Sequence, residues 1–153
     1  MNANEINAIQ KNICTELCVH LTELGFTLVD YLATFDRSDF FSFSDSEARE
    51  KLYKQSYYRF MDKASRILPS VENSVARLSS ALVAADEAVE LEMIAMLGAK
   101  LEAFRVFEEG LKSFYDATQK ALSSGNASPS LLVGEARKLK ILIEDFEEKL
   151  KDA

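Results

Sequence analysis

Apolar positions recur at steps of three and four along almost the whole chain, the period of an α-helix buried on one face. From Ser70 to Ser123 they run Val71, Val75, Leu78, Leu82, Ala85, Val89, Met93 and Met96, then Leu97, Leu101, Phe104, Phe107, Leu111, Phe114, Thr118 and Leu122. No proline interrupts this stretch, so the pattern predicts one very long helix over 71–123, with Asp86 or Gly98 as the places where it would break. Unbroken, it would be roughly 80 Å long and would need partners along its length.

A second stripe, Ile6, Ile9, Ile13, Leu17, Leu21, Leu24, Leu28, Leu32 and Phe35, predicts a helix over about 4–35. It keeps phase through Gly25, which favours one helix with a weak point over two. Val19, Phe26, Val29 and Ala33 fall on the opposite side of the same helix. A helix apolar on two sides is either central in its bundle or part of an interface.

The polar linker 36–44 carries Phe40, Phe41 and Phe43, rings that either plug the end of the bundle or are offered to a partner. Ser44 and Glu47 form a capping box for a helix over 45–68. That helix has Leu52, Tyr57, Phe60, Met61, Ala64 and Ile67 inward, and Lys51, Lys54, Arg59, Lys63 and Arg66 around them. The basic residues are expected to face Glu72, Asp86, Glu87 and Glu90. The Leu68-Pro69-Ser70 hinge predicts antiparallel neighbours on either side of it. After the stop at Ser123 to Ser128, Pro129 opens a last helix over 129–151 whose seam is Leu132, Ala136, Leu139, Ile143, Phe146 and Leu150.

These elements predict an all-α chain: a single domain over 1–153, built as an elongated four-helix or five-helix bundle around one very long central helix. With only five glycines and two prolines in 153 residues, there is little punctuation to suggest anything else.

Charge narrows the partners. A formal net charge of -7 argues against a nucleic-acid-binding face. No apolar run reaches the length of a membrane span, and the first residues lack the pattern of a secretory signal, so a soluble, cytoplasmic protein is expected. Cys14 and Cys18 share one helical face, where bridging is geometrically awkward, and are expected as small core residues in a reducing compartment.

Candidate chemistry is sparse. The one histidine, His20, cannot supply the Glu-x-x-His pairs of a dinuclear metal bundle. The lysine and glycine that follow the histidine of a phosphotransfer bundle are here Glu23 and Leu24. No phosphate loop or nucleophile elbow is present. The expectation is a protein without enzymatic activity, cofactor or metal. It would act as a protein-interaction module, an adaptor or chaperone-like bundle, through Phe26, Val29, Phe40, Phe41 and Phe43. Apolar surface left by the unequal helix lengths predicts a homodimer. The alternatives are an acidic inhibitor of immunity type, blocking a basic enzyme through Asp86, Glu87, Glu90 and Glu92, or a structural subunit of a larger assembly.

Overall fold

A computed structural model describes the backbone of residues 1–40, 46–125 and 129–151, and their side chains except at 34–40, 46–50, 53, 129 and 151. Among these residues there are five helices: α1 (Ala3–Phe40), α2 (Ser46–Ala64), α3 (Ile67–Val83), α4 (Leu91–Ser123) and α5 (Pro129–Lys151). The chain is all-α and packs as a bundle.

The very long central helix does not form. The chain leaves the helix after Val83 and α4 starts at Leu91, folding back on α3. Lys112 reaches Glu72 at 3.5 Å and Arg105 reaches Ser79, so advancing along α3 means retreating along α4. The break falls at Asp86, one of the two places the sequence allows; Gly98 lies inside α4. The apolar period carries through it because Ala85 is half-buried and Val89 buried in the turn itself, so the stripe continues while the backbone reverses. The turn is held from outside by the start of the chain. The Met1 amino group donates to the Ala84 carbonyl at 2.7 Å and to the Asp86 carboxylate at 2.8 Å, and the Asp86 N–H donates to the Met1 carbonyl at 2.9 Å.

The hinge between α2 and α3 behaves in the opposite way. Only Ser65 and Arg66 separate the two helices, and Arg66 keeps helical dihedrals, so the chain bends without turning back. Pro69 sits in the first turn of α3, where a missing N–H removes no intrahelical bond. Instead of lying side by side, α2 and α3 follow one another along α1. Tyr31 stacks on Phe60 of α2 with centroids 5.2 Å apart, and Glu16 meets Arg77 of α3 at 3.7 Å.

Helix α1 runs unbroken through Gly25 and on to Phe40, well past the expected end near residue 35. It is about 57 Å long. With α2 and α3 acting as one bent column, the bundle runs up (α1), down (α2–α3), up (α4) and down (α5). Helix α5 closes the ring against both α4 and α1.

The core is one continuous cluster along this column. Near its middle Phe146 of α5 stacks on Phe107 at 4.5 Å and meets Phe104 edge-on at 4.9 Å. Farther up, Tyr31, Tyr57, Phe60 and Phe114 fill the space between α1, α2 and α4. Each fully buried side chain of this kind contributes about 1.5–3 kcal/mol of transfer free energy, opposed by ordering entropy. Gly110 is explained by packing: a Cβ there would overlap the Leu142 side chain of α5. Gly125, with φ of 74°, ends α4 in the left-handed conformation that glycine adopts without strain.

Candidate interaction surface

The face of α1 turned away from the core carries Val19, 67% exposed, Phe26, 71% exposed, and Val29, 55% exposed. With Thr22 between them they follow the alternating three-and-four spacing of a coiled-coil seam, here with no helix of the described residues laid on it. A shallow groove lies on each side. Towards α5 a space of about 400 Å³ is bounded by Phe26, Val29, Ile143, Lys140, Glu144 and Glu147. Gly25 is part of its wall, and a Cβ at Gly25 would meet nothing within 4 Å. Towards α2 a second groove runs past Cys18, Val19, Glu23, Phe26 and Asp30 to Lys63. Phe26 is therefore a ridge between two clefts whose rims hold more carboxylates than amines.

Of the linker phenylalanines, Phe41 and Phe43 lie outside the described residues. Phe40 falls on the last turn of α1, so its backbone is helix and not linker, while its side chain also lies outside the described residues. The Ser44 cap is outside them as well.

The acidic group does not lie along a helix side. Asp86 and Glu87 are in the turn after α3, Glu90 immediately precedes α4 without a side-chain capping bond, and Glu92 is in the first turn of α4, where a carboxylate is favoured by the helix dipole. Asp86 is engaged by the Met1 amino group; Glu87, Glu90 and Glu92 are exposed. Beside them stand Val83 and Leu91, 88% and 84% exposed. The expected pairing of these acids with the basic residues of α2 is corrected by topology. The α3–α4 turn lies at the end of the bundle where α1 begins, and α2 lies at the end where α1 stops. Glu72 instead meets Lys112, and Arg66 meets Asp62.

Cys18 is exposed and Cys14 half-buried, so neither is the core residue that the spacing suggests. Cys14 lines the groove between α1 and α4, and Cys18 the groove that runs towards Lys63 of α2.

One site escaped the sequence pattern. A groove of about 710 Å³ opens between the first turns of α1 and the first turns of α4, beyond the end of α5. Met93 and Met96 belong to the stripe that reads as core, yet Met93 is only half-buried and Met96 is 45% exposed, because among the described residues no helix lies across them. The signal available in advance was length: α5, with 23 residues, cannot cover α4, with 33.

Inside the bundle the polar chemistry is structural. Thr118 is fully buried, with its hydroxyl 2.7 Å from the Phe114 carbonyl and 2.8 Å from the Tyr57 hydroxyl. Having one proton to give, it donates to the carbonyl and accepts from Tyr57. Burial pushes the phenols of Tyr31 and Tyr57 above their ordinary range, and for Tyr31 the neighbouring Tyr57 adds to it. Among the described residues no cluster of three His, Cys, Asp or Glu side chains is placed to hold a metal ion, and no helix is long and apolar enough to cross a membrane. No family model matches the chain, and no curated relative or solved structure matches it either.

Proposed function

We propose that this protein is an interaction module without enzymatic activity, a helical bundle that binds a partner protein through the outer face of α1. The observation that carries this reading is the seam of Val19, Phe26 and Val29, exposed on a helix whose opposite face is fully committed to the core. Large aromatic side chains flanked by clefts are the usual anchors of protein interfaces. Phe40, Phe41 and Phe43, later in the sequence, are further candidate anchors in this reading.

The test is capture of partners by the tagged protein from its native lysate at low and high salt, comparing wild type with a Phe26→Ser/Val29→Ser variant. A stoichiometric partner held at high salt and lost with the variant, whose thermal unfolding is unchanged, is the expected result. Equal capture by the variant would sink the assignment. Replacing Phe40 and Phe41 with serine adds a second arm: unfolding would place those rings in the core. Light scattering of the purified protein decides whether the seam joins two copies into a homodimer, which Phe26→Ser would then dissociate.

A second reading rests on the turn between α3 and α4, where Glu87, Glu90 and Glu92 surround the exposed Val83 and Leu91. An acidic tip with an apolar centre suits an inhibitor of a basic enzyme. Its binding would weaken steeply with salt, because long-range attraction between exposed charges is screened within about 8 Å at physiological ionic strength.

A further inference from the structure

Along most of its length the bundle has four columns, but among the described residues its lower end has three. Leu150, in the last turn of α5, reaches the groove that lies between the start of α1 and the start of α4. The first turns of α4, from Leu91 to about Lys100, have no described part of α5 opposite them, because Phe146 already packs on Phe104 and Phe107. The groove is a fourth position of the bundle, about three helical turns long, that no described helix fills.

Its chemistry is unlike that of the clefts beside Phe26. Met93, Met96 and Leu150 supply the apolar lining, and methionines adapt to varied side chains pressed against them. Lys11 and Lys100 stand on its α1 and α4 walls, with Lys100 held in place by donating to Gln10. The remaining polar lining is amide and hydroxyl, and no described carboxylate lines the groove, although the chain carries 25 acidic residues against 18 basic ones. The clefts beside Phe26 have the reverse balance, with Glu23, Asp30, Glu144 and Glu147 around them.

We infer that this vacant position docks a short amphipathic helix with an acidic outer face, supplied by a partner protein. The helix lays its apolar stripe on Met93, Met96 and Leu150 and completes the fourth column, while its carboxylates lie between Lys11 and Lys100. The site is separate from the Phe26 seam and does not depend on it.

The four methionines make a direct readout. Met93 and Met96 line the groove, whereas Met61 is buried in α2, far along the column. In the full chain with methyl-labelled methionine, a synthetic leucine–glutamate peptide of helical spacing is expected to shift the Met93 and Met96 methyl signals saturably and leave Met61 unchanged. The same peptide with lysine in place of glutamate should bind at least about tenfold more weakly, and Lys11→Glu/Lys100→Glu should lower affinity for the acidic peptide by a similar factor. Lys11 is exposed, so Lys11→Glu alone serves if the double variant loses its helical signal. A Phe26→Asp variant should bind the peptide as wild type does, which keeps this result separate from the α1 seam. The inference is overturned if the Met93 and Met96 signals do not move, if the two peptides bind equally, or if the lysine variants bind unchanged. It is also overturned if the same signals shift on simple dilution, which would give the groove to a second copy.

Discussion

Thr118 and Tyr57 show how little polar chemistry the interior holds and how strongly it is fixed. Thr118→Val keeps the shape but leaves the buried Tyr57 hydroxyl without its acceptor, so urea unfolding should show a loss of about 1–3 kcal/mol. Thr118→Ser, which keeps the hydroxyl, should cost less. The raised phenols of Tyr31 and Tyr57 give a pH dependence whose sign follows from proton counting. Below the unfolded-state value, near 10.0, both folded and unfolded chains keep these protons and the stability is complete. Above it the unfolded chain loses them first, so stability falls as pH rises through that value towards the higher folded-state values. Absorbance of tyrosinate should accordingly rise late for these two residues, and together with loss of helix; a full tyrosine titration in the folded protein would contradict their burial. Glycines separate in the same way. Gly98→Ala meets nothing within 4 Å and should stabilise by about 0.4–1 kcal/mol in urea unfolding. Gly110→Ala should give less or destabilise, because Leu142 must move to make room.

Among the helices, the junctions on either side of α3 are decided by different physics. Between α2 and α3 the backbone stays helical through Arg66, and a proline in the first turn of α3 costs nothing, so a sequence that reads as a reversal gives only a bend. Between α3 and α4 there is neither glycine nor proline, yet the chain reverses, pinned by buried Val89 and by the bonds of Asp86 and Ala84 to Met1. Val89→Asp should therefore destabilise by about 3 kcal/mol or more, since it puts a carboxylate where the turn meets the core. Asp86→Asn should cost no more than about 1 kcal/mol, because its partner lies at the surface. If chemical unfolding ranked these two variants in the opposite order, the ion pair and not the buried valine would hold the turn.

For the molecule as a whole, the two surfaces on which function is proposed arise differently. The Phe26 seam is open because it lies on the face of α1 turned away from the core, whereas the short α5 leaves an end that, among the described residues, has three columns. The two surfaces differ in charge, the seam with acidic rims and the end groove with lysines, so they would select different partners. Raising salt should weaken an acidic helix in the end groove more than a partner anchored by Phe26, a difference that titrations at two salt concentrations would show.

Helical periodicity alone determined the all-α class, the stripes that became the core of α1, α4 and α5, and the second apolar face of α1 with Phe26 and Val29. These were legible because a side chain's position on a helix depends only on its number in the chain. Asp86 was legible as a possible break but not as a reversal, and neither the bend at Arg66 nor the extension of α1 to Phe40 was legible. The reversal and the bend are each a choice between local conformations of similar energy, made by contacts with residues distant in sequence: Met1 at the turn, and α1 beneath the bend. The same holds for Met93 and Met96, which any periodicity places in the core. Whether a stripe is buried depends on a helix lying across it, and at that end of the bundle the described residues provide none.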